Sequence, residues 1–492
     1  MLVTLVACYF AVTICIGFYA ARRVKNSADY LVAGRSLPLY MNTATVFATW
    51  FGAELILAVS STFLKEGLQG VVGDPFGAAF CLIFVALFLA APYYRLKLMT
   101  VGDFYKKRYN RTVELASAAA ISISYLGWSS ANLVALGIVI HTVSGNTITL
   151  EQGIVLGAVI VGVYTLFGGM WSVAFTDLFQ TVIIVAGLIY IAWMLAGMAG
   201  GVDKVVATAQ ASDRLKFFPG ASLHDWLGFI AAFVTMALGS VAQQDVFQRV
   251  TSARTEKIAR QGTLLGGSLY LLMAFIPMFI AVSALLIDPA MVKQMLSNEN
   301  DFQQVLPTLI LQRTPLFAQV LFFGALLSAI LSTASGTLLA PTAVITENVI
   351  QPLWGHKLSD RKMLVLLRLI LIGFTCCVTL FALQSESSMY QMVQDAYKVT
   401  LVAAFTPLIF GMFWRRATPQ GALLSMACGV VAWQYAEHFM SDALVPPQLV
   451  GLGSAIVGMI VGSLAPTLMG GQGHPEIVDQ ARQPEVADNP PA

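Results

Sequence analysis

The sequence predicts an all-α polytopic membrane protein with about 13 transmembrane helices, a five-plus-five inverted repeat and a broken second span. Three observations predict this class. The 492 residues are 57% hydrophobic and only 11% charged, whereas soluble domains carry about 25% charged residues. Apolar runs of about 20 residues, the length that crosses a bilayer, recur from end to end. Loops rich in lysine and arginine alternate with loops that are poor in them.

Each predicted span is close to the length that a bilayer requires. The spans are placed at 2–21, 39–62, 71–95, 112–142, 151–167, 172–198, 225–248, 263–287, 315–345, 364–384, 395–414, 420–439 and 448–469. The first run precedes Arg22, Arg23 and Lys25 instead of following basic residues. It is therefore predicted to be a retained span and not a cleaved signal peptide.

Lysine and arginine also predict the orientation of the chain. With the N-terminus outside, 21 of the 28 basic residues fall on the inner side and 6 on the outer side, while Lys398 lies within a span. Cytoplasmic loops carry the excess of positive charge. The N-terminus is therefore expected outside the cell and the C-terminus in the cytoplasm.

This orientation divides the chain into two halves of opposite direction. Segments 39–198 and 225–414 each hold five spans and begin on opposite sides, as in transporters built from inverted repeats. The prediction of an inverted repeat rests on the number of spans in each half and on their direction across the membrane, since the halves show no sequence identity. The other segments are the first span and inner loop 1–38, the outer loop 199–224, two additional spans in 415–469, and a tail, 470–492, expected to be a disordered cytoplasmic segment.

Composition and motifs exclude several function classes. The net charge is only +2, so the protein lacks the large positive charge that would indicate a nucleic acid partner. The six cysteines lie within apolar spans at spacings that fit neither a disulfide framework nor a zinc site. Catalytic motifs such as His-Glu-x-x-His and Gly-x-Ser-x-Gly are missing, so we predict no enzyme. The expected partners are the lipid bilayer and a small-molecule solute.

Two adjacent hydroxyls in the ninth span indicate a cation site. Ser332 and Thr333 follow the small residue Ala329, and hydroxyls together with free carbonyls are ligands for hard cations. The carbonyls would come from residues 48–52, where Gly52 beside two aromatic residues favours an open helix. The alternative is that both hydroxyls bond to carbonyls of their own helix.

Four ordered motifs resemble the sodium:solute symporter family, which includes proline, sugar, choline and iodide symporters. They are SADYLVAGRSLP at 27–38, YTLFGGMWSVAFTD at 164–177, QQDVFQR at 243–249, and LST at 331–333 followed by TEN at 346–348. The resemblance covers about residues 5 to 465. It implies the five-helix inverted repeat and a bacterial inner membrane protein.

The same resemblance implies a sodium site. Its ligands would be the carbonyls of Ala48, Phe51 and Ala329 and the hydroxyls of Ser332 and Thr333, a neutral set of oxygens. It also places Asp177 near the route by which sodium leaves, where it would tune ion affinity. The alternative for Asp177 is a carboxylate favoured by the dipole at a helix N-terminus.

Substrate recognition is expected between two broken helices. The candidates are Trp50, Trp128, Gln243 and Asp245, with Asp74 near the start of the third span. Tryptophan faces could hold an amine by cation–π attraction, and a carboxylate could neutralise it. Ordinary packing is the alternative for each tryptophan, and Asp245 could instead cap polar groups near Arg249.

Within the family the chain most resembles the choline-transporter-like branch, through residues 48–50, Trp128 and residues 247–249. It departs from that branch at Gln243 and Ala78, where aromatic residues of a choline cage would align. An amino acid or a polar amine is therefore an equal expectation.

Asp395 and Lys398, three residues apart, can pair on one helix face. They form either a mutually neutralised pair or an outer gate.

The expected function is a sodium-coupled secondary active symporter that imports a small organic solute, such as an amino acid or a choline-like amine, by alternating access. Two alternatives remain open. A proton-coupled transporter of the same fold would use Asp177 or Asp245 as the proton carrier. A membrane solute sensor would bind the solute without accumulating it.

Overall fold

A computed structural model describes residues 2–145, 147–297, 302–354, 358–385, 387–440, 443–466 and 474–482 of the chain. These residues form helices and no sheet, and Leu37 and Ala253 make an isolated parallel bridge. The principal helices are Leu2–Ala21, Ser27–Val32, Leu39–Trp50, Ser60–Gly70, Ala78–Phe84, Ala90–Leu96, Val101–Arg108, Arg111–Val143, Leu150–Ala199, Val202–Ala211, Leu223–Gly239, Gln244–Thr251, Glu256–Ile287, Pro289–Leu296, Val305–Arg313, Leu316–Val344, Asp360–Gln384, Met389–Thr400, Thr406–Phe413, Pro419–Phe439, Pro447–Leu464 and Glu476–Arg482.

Ten of the described helical segments are long and apolar enough to span a membrane, or eleven when a bent pair is counted as one span. The predicted number of 13 is therefore not confirmed. Two predicted spans, 151–167 and 172–198, fall within the single helical stretch Leu150–Ala199. The predicted span 420–439 is the helix Pro419–Phe439, which is not among the ten.

The long stretch Leu150–Ala199 is interrupted at Gly169, which has φ 49° and ψ −141°. A Cβ atom there would lie 2.4 Å from the Tyr30 carbonyl oxygen, so the position requires glycine. The Tyr30 hydroxyl donates to the Thr165 carbonyl at 3.3 Å, which fixes the short helix Ser27–Val32 against the interruption. The gap predicted between two spans is thus present as a local break.

The second predicted span is broken in the structure. We call the helices Leu39–Trp50 and Glu54–Gly70, which meet at an angle of 53°, the bent span. Its first half contains mostly buried residues, and its second half begins with the π-helical turns Glu54–Val59. The break falls at residues 51–53, where the sequence predicted that the helix opens.

The centre of the protein is occupied by the helix Leu316–Val344, which we call the hydroxyl helix. Every residue from Ala325 to Val344 is buried. The hydroxyl helix packs against Leu150–Ala199, Arg111–Val143 and the first half of the bent span. Its small and hydroxylated residues permit this close approach of several helices.

The position of the second broken helix was not predicted. Leu223–Ala242 ends at Gln243, whose backbone is extended with φ −74° and ψ 140°, and Gln244–Thr251 continues beyond it. This broken helix opens the segment 225–414, just as the bent span opens the segment 39–198.

Part of the tail expected to be disordered forms a short helix, Glu476–Arg482. The Arg95 guanidinium donates to the carbonyls of Ala481 at 3.1 Å and Arg482 at 3.0 Å, while Ile477 and Val478 are buried. The expectation of disorder needs correction for this helix, because charged and apolar contacts hold it to the helical bundle. Residues 470–473 and 483–492 lie outside the described residues.

Candidate functional site

The break in the bent span leaves a backbone carbonyl without its helical partner. Phe51 has φ −80° and ψ 73°, and the Gly52 N–H donates to the Trp50 carbonyl at 2.9 Å. This is an inverse γ-turn centred on Phe51. In a continuous α-helix the same N–H would donate to Ala48. The Ala48 carbonyl has therefore lost its helical donor and is available to another ligand.

Thr333 lies directly against this break. A Cβ atom on Gly52 would be only 2.7 Å from the Thr333 hydroxyl oxygen. Thr333 is 1% exposed, and its hydroxyl has no hydrogen-bond partner within the described part of the chain. A buried hydroxyl without a partner is costly, so its presence here points to a ligand.

Other hydroxyls of the hydroxyl helix behave as ordinary membrane hydroxyls. Ser335 donates to the Ser332 carbonyl at 2.9 Å, Thr337 to the Ala334 carbonyl at 3.1 Å, and Thr342 to the Leu338 carbonyl at 2.7 Å. The alternative of self-satisfied hydroxyls thus holds for these three side chains but not for Thr333.

The neighbouring hydroxyl, Ser332, is engaged by Asp177. Ser332 Oγ donates to Asp177 Oδ1 at 2.5 Å, and both residues are fully buried. Asp177 Oδ2 has no partner among the described residues. Asp177 lies two turns beyond the break at Gly169, too far inside the helix for a dipole at the N-terminus to explain it. The structure therefore joins this predicted route residue to a predicted sodium ligand.

Three of the predicted substrate residues form one hydrogen-bonded aromatic cluster. Trp50 Nε1 donates to Asp245 Oδ2 at 3.0 Å, and the rings of Trp50 and Trp128 lie 5.9 Å apart. The Tyr125 hydroxyl donates to Asp245 Oδ1 at 2.5 Å. Both oxygens of the Asp245 carboxylate are therefore occupied, and this residue holds the cluster together.

The other two predicted substrate residues, Gln243 and Asp74, form hydrogen bonds with other partners. The Gln243 side-chain amide donates to Ser124 Oγ at 3.0 Å and to Thr400 Oγ1 at 3.4 Å, so it bridges two helices. Asp74 accepts a hydrogen bond from the Tyr270 hydroxyl instead. The structure thus does not bring Asp74 into hydrogen-bonding contact with Trp50 or Asp245.

Sequence reasoning missed three neighbours of these residues. Tyr397 lies 6.4 Å from the Trp50 ring and 5.6 Å from the Trp128 ring, and Tyr125 stacks on Trp128 at 6.0 Å. Glu54 follows the break and was not assigned a role. The proximity of Glu54 to Gly52 in sequence was the available signal, whereas Tyr397 is distant in sequence and offered none.

The predicted pair Asp395 and Lys398 is present. Lys398 Nζ lies 2.9 Å from Asp395 Oδ1 and 3.5 Å from Glu437 Oε1. The lysine therefore joins two carboxylates, one of them on the helix Pro419–Phe439. The structure shows these ion pairs, and the choice between a neutralised pair and an outer gate stays a prediction.

A bundle of apolar helices around a broken span and a buried polar site is the architecture of secondary transporters. Comparison with known proteins identifies the family. The sodium:solute symporter family profile matches residues 30–429. The chain belongs to this family and is a multi-pass membrane protein of a family of transporters, not of enzymes.

Individual relatives transport different solutes. The chain is 26% identical over 444 residues to the high-affinity proline transporter PutP of Bacillus subtilis, covering 87% of this chain and 91% of the relative. It is 23% identical over 437 residues to the human high affinity choline transporter 1, covering 86% of this chain and 74% of the relative. A solved Na⁺-coupled sialic acid symporter superposes with a TM-score of 0.80 at 18% identity, covering 94% of this chain and 98% of that one.

Proposed function

We propose that this chain is a sodium-coupled symporter that imports a small organic solute across the plasma membrane by alternating access. The observation that carries the proposal is the Thr333 hydroxyl, buried without a partner against the break at Gly52. Sodium would be held by the hydroxyls of Ser332 and Thr333 and the carbonyls of Ala48, Phe51 and Ala329. Neutral oxygens suit a monovalent cation, since calcium sites recruit carboxylates.

Asp177 has a specific part in this proposal. A serine hydroxyl has one proton and two lone pairs. Because the Ser332 hydroxyl donates its hydrogen bond to Asp177, its oxygen lone pairs remain available to an ion. The carboxylate thereby orients Ser332 and adds negative charge behind the site, which favours a cation without placing a charge among its ligands.

The proposed coupling uses both halves of the chain. Sodium would join the bent span, in segment 39–198, to the hydroxyl helix, in segment 225–414. By linkage, a solute whose affinity is raised by sodium raises sodium affinity equally. The presence of a broken helix at the start of each segment supports the inverted repeat. The N-terminus would face the outside and the C-terminus the cytoplasm, with the first span and the two final spans flanking the repeats.

The test needs no knowledge of the solute. We expect sodium chloride to raise the melting temperature of the purified protein above that in potassium chloride, because a bound ion stabilises the folded state by about 1.4 kcal/mol at ten times its Kd. Ser332→Ala and Thr333→Ala should remove most of this difference. Thr342→Ala is the matched control, since its hydroxyl is bonded within the helix.

Three results would oppose the proposal. Equal sodium stabilisation in Ser332→Ala, Thr333→Ala and the wild-type protein would remove the assigned site. Solute uptake into vesicles driven by a pH gradient without sodium would favour proton coupling, while binding without accumulation would favour a sensor.

A further inference from the structure

Two carboxylates, the buried Asp74 and the partly exposed Glu54, lie on contacting segments beyond the break in the bent span. We call them the acid pair. Glu54 begins the π-helical turns that follow the break, and Asp74 is only 2% exposed at the start of Val72–Leu96. The turns Glu54–Val59 that carry Glu54 pack against the segment Val72–Gly77 that carries Asp74. In the described part of the chain neither forms an ion pair with a lysine, arginine or histidine.

One oxygen of the acid pair lacks any partner. Asp74 accepts from the Tyr270 hydroxyl, whereas Glu54 Oε1 is covered and has no hydrogen-bond partner within the described residues. A buried carboxylate without a donor or a counter-charge is unfavourable. Two such groups side by side add mutual repulsion. Either a proton or a bound cation can relieve this repulsion, and a cation that carries N–H groups would also supply a donor to Glu54 Oε1.

Aromatic side chains surround the acid pair. The Tyr270 ring lies 6.2 Å from that of Phe51, beside the break. Tyr390 and Tyr397 lie on the helix Met389–Thr400, which packs against the turns Glu54–Val59. A Cβ atom on Gly73, next to Asp74, would lie 3.6 Å from the Tyr390 hydroxyl. The Tyr397 hydroxyl also has no partner. Because the Tyr397 ring stacks at 6.4 Å on Trp50, the acid pair is continuous with the aromatic cluster.

We infer that the acid pair binds the ammonium group of a small primary or secondary amine that carries no carboxylate of its own. This rests on the proposed function, because it names the class of solute that the symporter takes. Carboxylates and aromatic faces together suit an organic cation. Glu54 Oε1 requires an N–H donor, which a quaternary ammonium lacks.

Two other ligand classes fit less well. The carboxylate of a zwitterion such as proline would be repelled by the acid pair, which has no described basic side chain to receive it. A multivalent metal ion would need more ligands, and the described residues contain no group of three histidine, cysteine, aspartate or glutamate side chains that could hold one.

The experiment uses the full-length purified protein and four probes: ethanolamine, putrescine, choline and proline. Ethanolamine and choline form a matched pair, because they differ only in N–H against N–methyl groups. Affinities are measured by thermal shift in sodium chloride and in potassium chloride. Glu54→Gln and Asp74→Asn remove one charge each with little change in size. Asp203→Asn, at an exposed position, is the control.

We expect ethanolamine or putrescine to bind in sodium, choline to bind at least about tenfold more weakly, and proline to give no shift. Glu54→Gln and Asp74→Asn should weaken amine binding by roughly 30-fold, as expected when one member of a buried charge pair is neutralised. Stabilisation by sodium alone should persist in both variants and shows that they remain folded.

Several outcomes would overturn the inference. One is that proline or choline binds as tightly as the amines. Another is an unchanged amine affinity in Glu54→Gln, which is expected if the acid pair shares a proton. The last is that none of the four probes binds. Failure of the proposed function looks different. Amine binding that is equal in sodium and potassium, and lost in Glu54→Gln, would support the acid pair while removing sodium coupling.

Discussion

The two broken helices differ in how their breaks are completed. At Gln243 the side-chain amide bonds to Ser124 and Thr400, and both oxygens of nearby Asp245 accept hydrogen bonds. At Gly52 the facing Thr333 hydroxyl has no partner. One break is closed by the protein's own side chains, and the other is open to a ligand.

This difference separates a structural break from a functional one. Interrupted backbone among apolar helices persists only where its polar groups are satisfied. At the break near Gln243 the Gln243 N–H donates to the Ser240 carbonyl at 3.1 Å and the Asp245 N–H to the Tyr125 hydroxyl at 2.9 Å. Groups of the protein itself therefore bond to this backbone and fix the aromatic cluster in place. Under the proposed function, an ion would supply the missing partner at the break beside Gly52. Variants at the two breaks should therefore fail in different ways.

The largest effect is expected for Gly52→Ala. The added methyl group would lie 2.7 Å from Thr333 Oγ1, inside the proposed ion site. Overpacking of this kind costs about 1–3 kcal/mol, so we expect sodium affinity to fall on the order of 30-fold. Sodium titration of the melting temperature measures the change.

The control for this variant is Gly228→Ala, in the other broken helix. A methyl group there meets nothing within 4 Å, and alanine favours helix. Sodium affinity should stay at the wild-type value. A comparable loss in both variants would mean that Gly52 acts through general helix stability, and the contrast between the two breaks would fail.

A smaller effect of a different kind is expected for Asp245→Asn. The asparagine amide group would face the N–H of Trp50 or the hydroxyl of Tyr125, leaving a buried donor unpaired at a cost of about 1–3 kcal/mol. We expect a lower melting temperature and an unchanged rise on adding sodium. If sodium stabilisation were lost while the melting temperature in potassium stayed unchanged, Asp245 would belong to the ion site or to a proton route.

Much of the architecture could be predicted from local patterns. Apolar length predicted most helices to within a few residues, and Gly52 between aromatic residues marked the break in the bent span. The break at Gln243 was missed, because Gln243 has no glycine or proline beside it that signals an opening. That break is stabilised by Ser124 and Thr400, which are distant in sequence.

The candidate site shows the same limit. Ser332 and Thr333 carry a local pattern that indicated a cation site. Neither the direct bond between Ser332 and Asp177 nor the stacking of Tyr397 on Trp50 follows from spacing, because each joins residues more than 150 positions apart. Glu54 was overlooked because a carboxylate beside a break does not by itself reveal whether it has a partner.

The smallest effect is expected for Asp177→Asn. Asparagine still accepts the hydrogen bond of Ser332 but removes the negative charge, and a charge-assisted bond is about twice as strong as a neutral one. We expect sodium affinity to fall roughly three- to tenfold, measured by the same titration. Asp225→Asn, at an exposed position of the other broken helix, is the control and should leave affinity unchanged. A contrary result would be that Asp177→Asn keeps the wild-type sodium affinity but loses solute uptake driven by a pH gradient. Asp177 would then be a proton carrier, and the coupling ion would not bind at Ser332.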